Sequence, residues 1–381
     1  MQSFVCGKFI DRYLIASRFS NRGVIIGKKA YYQLLELSKA DSEIVPWTTK
    51  LLSKMGVKTE SKQKLNDIIL VRKPTEFNFG KASYEITESC NYKCSHCYLG
   101  CKAKSNLSFS DKKKIIELIE RSGCLWLQIT GGEPLLDKDF VEIYSFAHSL
   151  GLLVTLSTNG SLLVNSQIAD VLKTHPPYRL TMNAYGATAN SYESLTRTSG
   201  SFRKFMDGVN WASKTGIRTR LNIIATRYNQ DEISDMIIMA KNFGFEYHVF
   251  STIFPTIDGN IASTKLMAQK CEIVERHDRV VLKKDSYVPC KAGKTFFHVN
   301  SVGEMSICKT ARNPSVNLFQ NGIAGLCKLS QISSKLLDLP LLCNSCELRE
   351  SCTTCPPILN LYLRSGTVPS FVCSKYQFKR R

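Results

Sequence analysis

Four cysteines lie close together in the stretch ESCNYKCSHCYLGC, and they are Cys90, Cys94, Cys97 and Cys101. The first three fall within eight residues, so their thiolates can bind one inorganic centre but supply only three ligands. A 4Fe–4S cluster normally takes four cysteine ligands, and an open coordination position is where a metal centre does chemistry. The spacing therefore predicts a cluster with one open iron. The alternative is a structural zinc site completed by Cys101 or His96.

Two further short motifs have side chains suited to binding a polar cofactor. GGEP covers Gly131–Pro134, and STNG covers Ser157–Gly160. Gly131 and Gly132 allow close approach of the backbone to a ligand, Pro134 fixes the turn, and Glu133 can accept hydrogen bonds from an ammonium group. Ser157 and Asn159 are short polar groups suited to ribose hydroxyls.

The chain around these motifs alternates β-rich apolar runs with amphipathic runs. The six candidate strands are Ser83–Thr87, Leu125–Thr130, Leu152–Ser157, Arg179–Asn183, Arg218–Ala225 and Glu246–Ser251. Five candidate helices lie between them. The first has Ser110 as its N-cap and ends at Gly123, and the others are Lys138–Ser149, Ser161–Lys173, Phe202–Lys214 and Glu232–Asn242. This alternation indicates parallel βαβ units. Active-site loops then lie at the carboxyl ends of the strands, although periodicity does not distinguish an open sheet from a barrel.

The two ends of the chain differ in texture from this middle part. Before residue 81 we expect a small α+β module with a hairpin near the start, helices at Tyr31–Leu37 and Trp47–Gly56, and a strand at Asp67–Val71. After Cys290 the chain is cysteine-dense with few long periodic segments, as when inorganic centres replace part of a core. The expected divisions are 1–80, a core at 81–260, a linker at 261–289 and a cysteine-rich domain at 290–381.

The three motifs, in this order at successive strand ends, resemble those of the radical S-adenosylmethionine (SAM) superfamily. The fingerprint is C-x3-C-x2-C, here with His96 before the last cysteine and Tyr98 after it. The resemblance implies that GGEP binds the methionyl amino group and that Ser157, Thr158 and Asn159 contact the ribose and carboxylate. Asn183 stands where relatives often have a SAM-contacting serine, and a loop-capping role is the alternative.

The resemblance also implies a fold and a reaction. The fold is α/β, a partial (β/α)6 TIM-like barrel with an N-terminal small α+β, winged-helix-like module and a C-terminal cysteine-rich, cluster-binding domain. SAM would chelate the open iron, and an electron from the cluster would cleave it reductively. The resulting 5′-deoxyadenosyl radical would abstract hydrogen from the substrate.

The C-terminal third is similar to the SPASM extension, which typically holds two auxiliary 4Fe–4S clusters, making three in all. By analogy the first has Cys290, Cys308 and Cys355 as ligands, and the second has Cys343, Cys346, Cys352 and Cys373. Two departures are the two-residue spacing between Cys352 and Cys355 and the absence of a cysteine shortly before Cys290. The first auxiliary cluster therefore either has an open iron or uses Cys271. A zinc ribbon on the two C-x2-C pairs, Cys343/Cys346 and Cys352/Cys355, is the alternative.

Within SPASM enzymes, Asn183–Phe202 resembles members that modify ribosomally made peptides. The resemblance implies a peptide maturase whose N-terminal module captures the precursor by strand addition. The expected product is a thioether or carbon–carbon crosslink, with epimerisation and backbone cleavage as alternatives. A second hypothesis is maturation of a folded protein, of formylglycine or quinone-cofactor type. For the N-terminal module, the alternative to peptide capture is a stabilising or dimerising role.

Composition sets the remaining expectations. The 381 residues carry a net charge of +19, which favours acidic partners such as a flavodoxin or ferredoxin electron donor. A basic iron–sulfur or zinc protein that binds nucleic acid without turnover would use the same charge, but it leaves GGEP and STNG unexplained. We see no signal peptide and no apolar run of membrane-spanning length, so we expect a reducing cytoplasm, where fifteen cysteines favour metal centres over disulfides. Cys6 and Cys124 are expected to be small buried hydrophobes.

Overall fold

Two β-sheets organise the chain, one near the N-terminus and one through the core. The computed structural model of the protein describes residues 2–100, 107–268, 290–347, 349, 352, 354–366, 368–369 and 372–373. Cys101 and Cys271, both candidate ligands, lie outside the described residues. No described helix has both the length and the apolar character needed to cross a bilayer.

The N-terminal sheet has four strands in the order β3-β2-β1-β4. Its elements are β1 (Phe4–Phe9), β2 (Arg12–Ser17), β3 (Gly23–Ile26), α1 (Lys28–Lys39), α2 (Pro46–Lys54), α3 (Leu65–Ile68) and β4 (Ile69–Val71). The predicted hairpin is β1–β2, and both predicted helices are present. The strand predicted from Asp67 begins two residues later, because residues 65–68 form a helical turn.

The core sheet contains all six predicted strands, in parallel and in sequence order. They are β5 (Lys81–Thr87), β6 (Trp126–Gly131), β7 (Leu153–Thr158), β8 (Arg179–Ala184), β9 (Thr219–Ile224) and β10 (Glu246–Phe250). Alternate residues of each strand, such as Tyr84, Leu127 and Leu156, are fully buried in the hydrophobic core. Burial of each such side chain contributes roughly 1.5–3 kcal/mol. The opposite face of the sheet is largely polar.

Six helices accompany these strands: α4 (Phe109–Arg121), α5 (Phe140–Ser149), α6 (Ser166–Thr174), α7 (Ala189–Thr196), α8 (Ser201–Thr215) and α9 (Ile233–Asn242). The N-cap of α4 lies two residues before the predicted one. Ser108 is the N-cap, because its side chain accepts a hydrogen bond from the Asp111 N–H at 3.1 Å, and Ser110 lies inside the first turn. α7 lies within the segment that resembled peptide-modifying enzymes, and the periodicity did not indicate it.

The cysteine-rich segment extends the core sheet. It contains β11 (Phe296–Val299), β12 (Glu304–Ser306), β13 (Val316–Asn317), α10 (Leu318–Asn321), α11 (Gly325–Leu336) and α12 (Pro356–Arg364). β11 pairs in parallel with β5, so the described strands form a nine-stranded sheet that ends at β10 on one side and β13 on the other. The described sheet is thus an open arc. The twelve-residue α11 was not expected in a segment with few periodic runs.

Candidate active site

The cysteine loop directly follows β5 and is anchored to the C-terminal end of α7. The N–H groups of Lys93 and Ser95 donate to the carbonyls of Thr196 and Leu195 at 3.1 and 2.9 Å. Burial, together with the nearby thiols of Cys94, Cys97 and Cys90, raises the pKa of Tyr185 well above its ordinary value. The three predicted SAM-cluster ligands therefore all lie near Tyr185.

The GGEP glycines lie against the start of this loop. The Gly132 N–H donates to the Thr87 carbonyl at 2.9 Å, and the Glu133 N–H donates to the Ser89 carbonyl at 2.8 Å. A Cβ on Gly131 would lie 2.1 Å from the Thr87 oxygen, and one on Gly132 would lie 2.3 Å from the Glu88 oxygen. Close contact between two backbone segments thus requires glycine at both positions.

The Glu133 carboxylate joins GGEP to STNG. It is fully buried and accepts hydrogen bonds from the Leu135 N–H (3.1 Å), the Thr158 hydroxyl (2.6 Å) and the Asn159 N–H (2.7 Å). Burial raises its pKa to about 7, although these three donors lower it. The Glu133 side chain therefore holds two motif loops together. Pro134, the next residue, begins a short 3-10 turn.

Asn159 links STNG to the cysteine loop. The side-chain nitrogen of Asn159 donates to the side-chain oxygen of Asn91 at 2.8 Å. The side-chain nitrogen of Asn91 in turn donates to the Ser161 hydroxyl at 2.8 Å. Ser157 is held separately, because its hydroxyl accepts from the Gln128 amide at 2.7 Å. All three motifs thus belong to one hydrogen-bonded unit.

Asn183 lies on the same polar face of the sheet as Ser157. Its amide nitrogen donates to the Tyr185 hydroxyl at 3.2 Å, and its oxygen accepts from Asn222 of β9 at 3.3 Å. The Tyr185 ring contacts His96 edge-on at 4.8 Å between centroids. Burial lowers the pKa of His96 to about 4, so its imidazole is neutral near pH 7.

Tyr98 connects the cysteine loop to the C-terminal segment through Glu85 of β5. The Tyr98 hydroxyl donates to the fully buried Glu85 carboxylate at 2.6 Å, and the Arg312 guanidinium binds it through two hydrogen bonds of 2.9 and 2.6 Å. Burial alone would raise the pKa of Glu85, but His298 and Arg312 outweigh it and hold the pKa below its ordinary value. Glu85 therefore remains ionised between two cysteine-bearing loops.

The cysteines assigned to the first auxiliary cluster lie near one another. Burial raises the pKa of Cys355, and the thiols of Cys308 and Cys290 raise it further. The Ala311 N–H points at the Cys308 sulfur at 3.4 Å, a contact that favours a thiolate. Cys271 cannot be placed in this group, because it lies outside the described residues.

The second auxiliary set is also brought together. Burial raises the pKa of Cys343, and the thiols of Cys373, Cys352 and Cys346 add to this effect. Cys6 and Cys124 are fully buried, as expected, and Cys327 is exposed on α11.

These groups fit iron–sulfur clusters and SAM in ligand type. Each of the three sets consists of thiols, the ligand that such clusters take. In the described part of the chain no three His, Cys, Asp or Glu side chains are placed to enclose a single metal ion. Three inaccessible polar atoms at the site, His96 Nδ1, Thr181 Oγ1 and Asn222 Oδ1, have no hydrogen-bond partner among the described residues. Because buried polar atoms are nearly always paired, they indicate space for a polar ligand.

Four residues of the site were missed from the sequence: Asn91, Tyr185, Glu85 and Arg312. Glu85 offered a signal, because a carboxylate within an apolar strand has a partner or a function. Asn91 lies directly beside Cys90, and Tyr185 follows the fourth strand by one residue. Nothing in the sequence around Arg312 indicated that it would pair with Glu85.

Comparison with known sequences places this site in a family. Residues 84–240, which contain all three motifs, match the model described as the radical SAM superfamily. The AdoMet-dependent heme synthase of Methanosarcina barkeri is 29% identical over 215 residues, 55% of this chain and 60% of that protein. The mycofactocin maturase MftC of Mycobacterium ulcerans is 27% identical over 226 residues, 58% of this chain and 59% of that protein. The match therefore spans about 60% of the length of these relatives.

Solved structures share the fold over more of the chain. Streptococcus suis SuiB bound to S-adenosylmethionine aligns with a TM-score of 0.62 at 13% identity, covering 92% of this chain and 94% of that one. The enzyme anSMEcpe with bound AdoMet and Cp18Cys peptide aligns with a TM-score of 0.55 at 13% identity, covering 78% and 94%. The α/β prediction is confirmed. Residues 84–240 of the chain are thus a radical SAM domain.

Proposed function

We propose that this enzyme is a maturase that abstracts hydrogen from a ribosomally made precursor peptide and forms a thioether or carbon–carbon crosslink. Two relatives support a peptide substrate. One solved structure of SuiB is described as bound to precursor peptide SuiA, and one of anSMEcpe is described with a bound peptide. MftC is named a maturase of mycofactocin.

The observation that carries the proposal is the edge of the N-terminal sheet. β3 has a neighbour on one side only, β2, among the described strands. The Ser17 N–H donates to the Arg22 carbonyl, so antiparallel alternation directs the backbone groups of residues 24 and 26 to β2 and those of residues 23 and 25 outward. An extended peptide can add there as a fifth strand.

In this proposal Cys90, Cys94 and Cys97 hold the SAM cluster, and the motif loops hold SAM. When bound, the cluster and SAM supply the one-electron chemistry that removes hydrogen from an unactivated C–H bond. The protein positions these groups. Glu133 fixes GGEP against STNG, and Asn91 fixes STNG against the cysteine loop.

The two C-terminal thiol sets are proposed to hold auxiliary clusters. A crosslink is a net two-electron oxidation, so one electron must leave the substrate after hydrogen is removed. Auxiliary clusters are suitable acceptors, and a ferredoxin or flavodoxin would supply the electron for SAM cleavage. The net charge of +19 suits such an acidic partner.

The test is anaerobic reconstitution with iron, sulfide, SAM and dithionite, followed by assay for 5′-deoxyadenosine. Short reading frames beside the gene then supply candidate precursor peptides for mass spectrometry. A loss of two mass units from one peptide supports a crosslink. An unchanged mass with deuterium uptake from heavy water would instead support epimerisation.

Other outcomes would overturn the proposal. Affinity for nucleic acid without 5′-deoxyadenosine formation would support a binding protein. Modification of a tetrapyrrole but of no peptide would support the chemistry named for the M. barkeri relative. Conversion of a cysteine or serine within a folded sulfatase would support the folded-protein hypothesis.

A further inference from the structure

One imidazole of the core sheet, that of His298, is buried beside a hydroxyl and a carboxylate of the neighbouring strand. β11 pairs with β5 so that His298 lies opposite Ser83. The Ser83 Oγ lies 2.8 Å from His298 Nδ1, and His298 Nε2 lies 3.6 Å from the Glu85 carboxylate. Neither His298 nor Glu85 has exposed surface. The three side chains therefore form a row of hydroxyl, imidazole and carboxylate, an order of groups that enzymes use to move a proton.

The Glu85 carboxylate determines which nitrogen of His298 carries the proton. Glu85 is ionised, because Arg312 binds it through two hydrogen bonds. His298 Nε2 has no hydrogen-bond partner within the described part of the chain, so this carboxylate is the group that it faces. An unprotonated Nε2 would direct its lone pair at a negative charge, and the proton is therefore on Nε2. Nδ1 is then an acceptor, to which the Ser83 hydroxyl donates.

Burial keeps this imidazole neutral near pH 7. It lowers the pKa of His298, and the nearby cations Arg312 and Lys309 lower the pKa further, although Glu85 raises it. The neutral imidazole is the form that can accept a proton. The Glu85 carboxylate would stabilise the imidazolium that results, as the carboxylate does in a catalytic triad.

Ser83 is the member of this row that borders open space. The Tyr84 side chain is buried in the hydrophobic core, so its neighbour Ser83 lies on the polar face of the sheet, where it lines a cavity of about 990 Å³. Opposite Ser83 on β6 is Gln128, whose side chain donates to the Ser157 hydroxyl of STNG at 2.7 Å. Cys308 of the first auxiliary thiol set lines the same cavity. A substrate group in this cavity would therefore lie between the candidate SAM site and that thiol set.

We propose that Ser83 and His298 form a relay that takes a proton from the peptide during crosslinking. The Ser83 hydroxyl accepts the proton from the substrate and passes its own proton to His298 Nδ1. This inference rests on the proposed function, because it assigns the base of the same reaction.

The relay accounts for one of the two hydrogens that a crosslink removes. In thioether formation the C–H hydrogen leaves as an atom with the 5′-deoxyadenosyl group of SAM, and the S–H hydrogen leaves as a proton to the relay. One electron passes to an auxiliary iron–sulfur cluster as the C–S bond forms. A carbon–carbon crosslink has the same balance, with the proton coming from the second carbon. His298 releases its proton to water after the product has left.

The first test separates crosslinking from SAM cleavage. Ser83→Ala should slow crosslink formation in a single turnover about 100-fold, the contribution of a general base. The KM for the peptide and the formation of 5′-deoxyadenosine should be unchanged. His298→Gln should give a similar loss, and the double variant should lose no more than either single variant, because both residues act in one step.

A matched control and a rival base define the outcome. Ser145→Ala removes a serine hydroxyl that donates to the Val141 carbonyl within α5, and it should crosslink at the wild-type rate. Crosslinking at the wild-type rate by Ser83→Ala would overturn the proposal. So would a loss confined to His248→Gln, which removes another imidazole that lines the cavity.

The tautomer of His298 provides a second test that needs no turnover. In holoenzyme labelled with ¹⁵N-histidine and kept with oxidised clusters, NMR should show the proton on Nε2 and a hydrogen-bonded, unprotonated Nδ1. The signal is the one lost in His298→Gln or, if that variant does not fold, the one that shifts in Ser83→Ala. A proton on Nδ1 would make His298 the donor to Ser83, unable to accept its proton, and would refute the relay.

The two proposals fail separately. If no peptide is modified, only the maturase function is contradicted, and the tautomer of His298 still tests the relay. If wild type and Ser83→Ala crosslink a peptide equally fast, only the relay is contradicted.

Discussion

At the residue scale, the site depends on three thiols and one buried carboxylate. The three thiols all lie near Tyr185, and Glu133 of GGEP accepts hydrogen bonds from Thr158 and Asn159 of STNG. The thiols would be ligands, whereas Glu133 positions the motif loops. These two roles predict different consequences of substitution.

Replacing Cys90, Cys94 and Cys97 by alanine should abolish 5′-deoxyadenosine formation and remove about four iron atoms per chain, because one cluster is lost. Iron and labile sulfide analysis after anaerobic reconstitution measures this loss. Cys327→Ala is the matched control, since Cys327 is exposed and belongs to neither auxiliary set. Full iron content in the triple variant would contradict the assignment.

Glu133→Gln should change how stability depends on pH. The pKa of Glu133 is raised from 4.5 to about 7, so the folded state binds its proton more tightly than the unfolded state does. This contribution to the free energy of unfolding is present below pH 4.5 and is lost as pH rises through 7. It amounts to at most about 3 kcal/mol.

Anaerobic urea unfolding across this pH range measures the effect. The stability of the wild type relative to Glu133→Gln should fall as pH rises from 4.5 to 7. Glu117→Gln, on the exposed side of α4, is the control and should parallel the wild type. A constant difference between wild type and Glu133→Gln would be inconsistent with a buried, titrating carboxylate.

At the element scale, the loops are positioned by close packing and by one buried ion pair. Gly208 of α8 lies against Gly160 of STNG, where a Cβ would approach the Gly160 carbonyl oxygen to 2.2 Å. Glu85 of β5 and Arg312, four residues after Cys308, join the core sheet to the auxiliary segment. Each contact gives a prediction about how one element supports another.

Gly208→Ala should displace α8 from STNG and cost about 1–3 kcal/mol by overpacking. The affinity for SAM should fall with it, because Gly160 adjoins Asn159. Equilibrium dialysis with SAM and thermal unfolding measure the two effects. Gly27→Ala is the control, since nothing lies within 4 Å of a Cβ there and its φ of −71° suits alanine. Unchanged SAM affinity in Gly208→Ala would count against this packing role.

Arg312→Met should destabilise the protein by about 3–5 kcal/mol, because it leaves the Glu85 carboxylate buried without its cation. The double change Glu85→Gln/Arg312→Met should cost less than Arg312→Met alone. A double-mutant cycle of unfolding free energies measures this coupling. Additive effects of the two substitutions would show that the pair does not hold the segments together.

At the scale of the whole molecule, the N-terminal sheet packs directly on the core. Val5 and Leu153 are buried in one shared cluster, and Phe9 contacts Trp126 edge-on at 4.9 Å between ring centroids. Phe9 also lines a cavity of about 990 Å³ that borders the polar face of the core sheet. A peptide bound along β3 would therefore be tethered to the same body that contains the active site.

Ile25→Pro tests this tethering. Ile25 directs its N–H outward, so proline should remove a donor needed for an added strand while leaving the β2–β3 ladder intact. The KM for a precursor peptide should rise at least about tenfold, and SAM cleavage without peptide should be unchanged. Val24→Pro, which removes a ladder hydrogen bond instead, separates loss of the edge from loss of the sheet. An unaltered KM in Ile25→Pro would exclude strand addition at β3.

The sequence by itself determined the six core strands, the three motifs at their ends and the radical SAM domain at residues 84–240, because hydrophobic periodicity and ligand spacing are local properties. It also indicated the two helices of the N-terminal module, but it placed the first core helix cap at Ser110 rather than Ser108. There two candidate caps lie within one turn, and side-chain hydrogen bonding decides between them.

Only the tertiary structure decided which distant groups meet. It showed Glu133 enclosed by its own neighbours, paired Glu85 with Arg312 across 227 positions and added β11 beside β5. These contacts join residues far apart in the chain. They depend on how the sheet and loops pack, and no local pattern of residues encodes them.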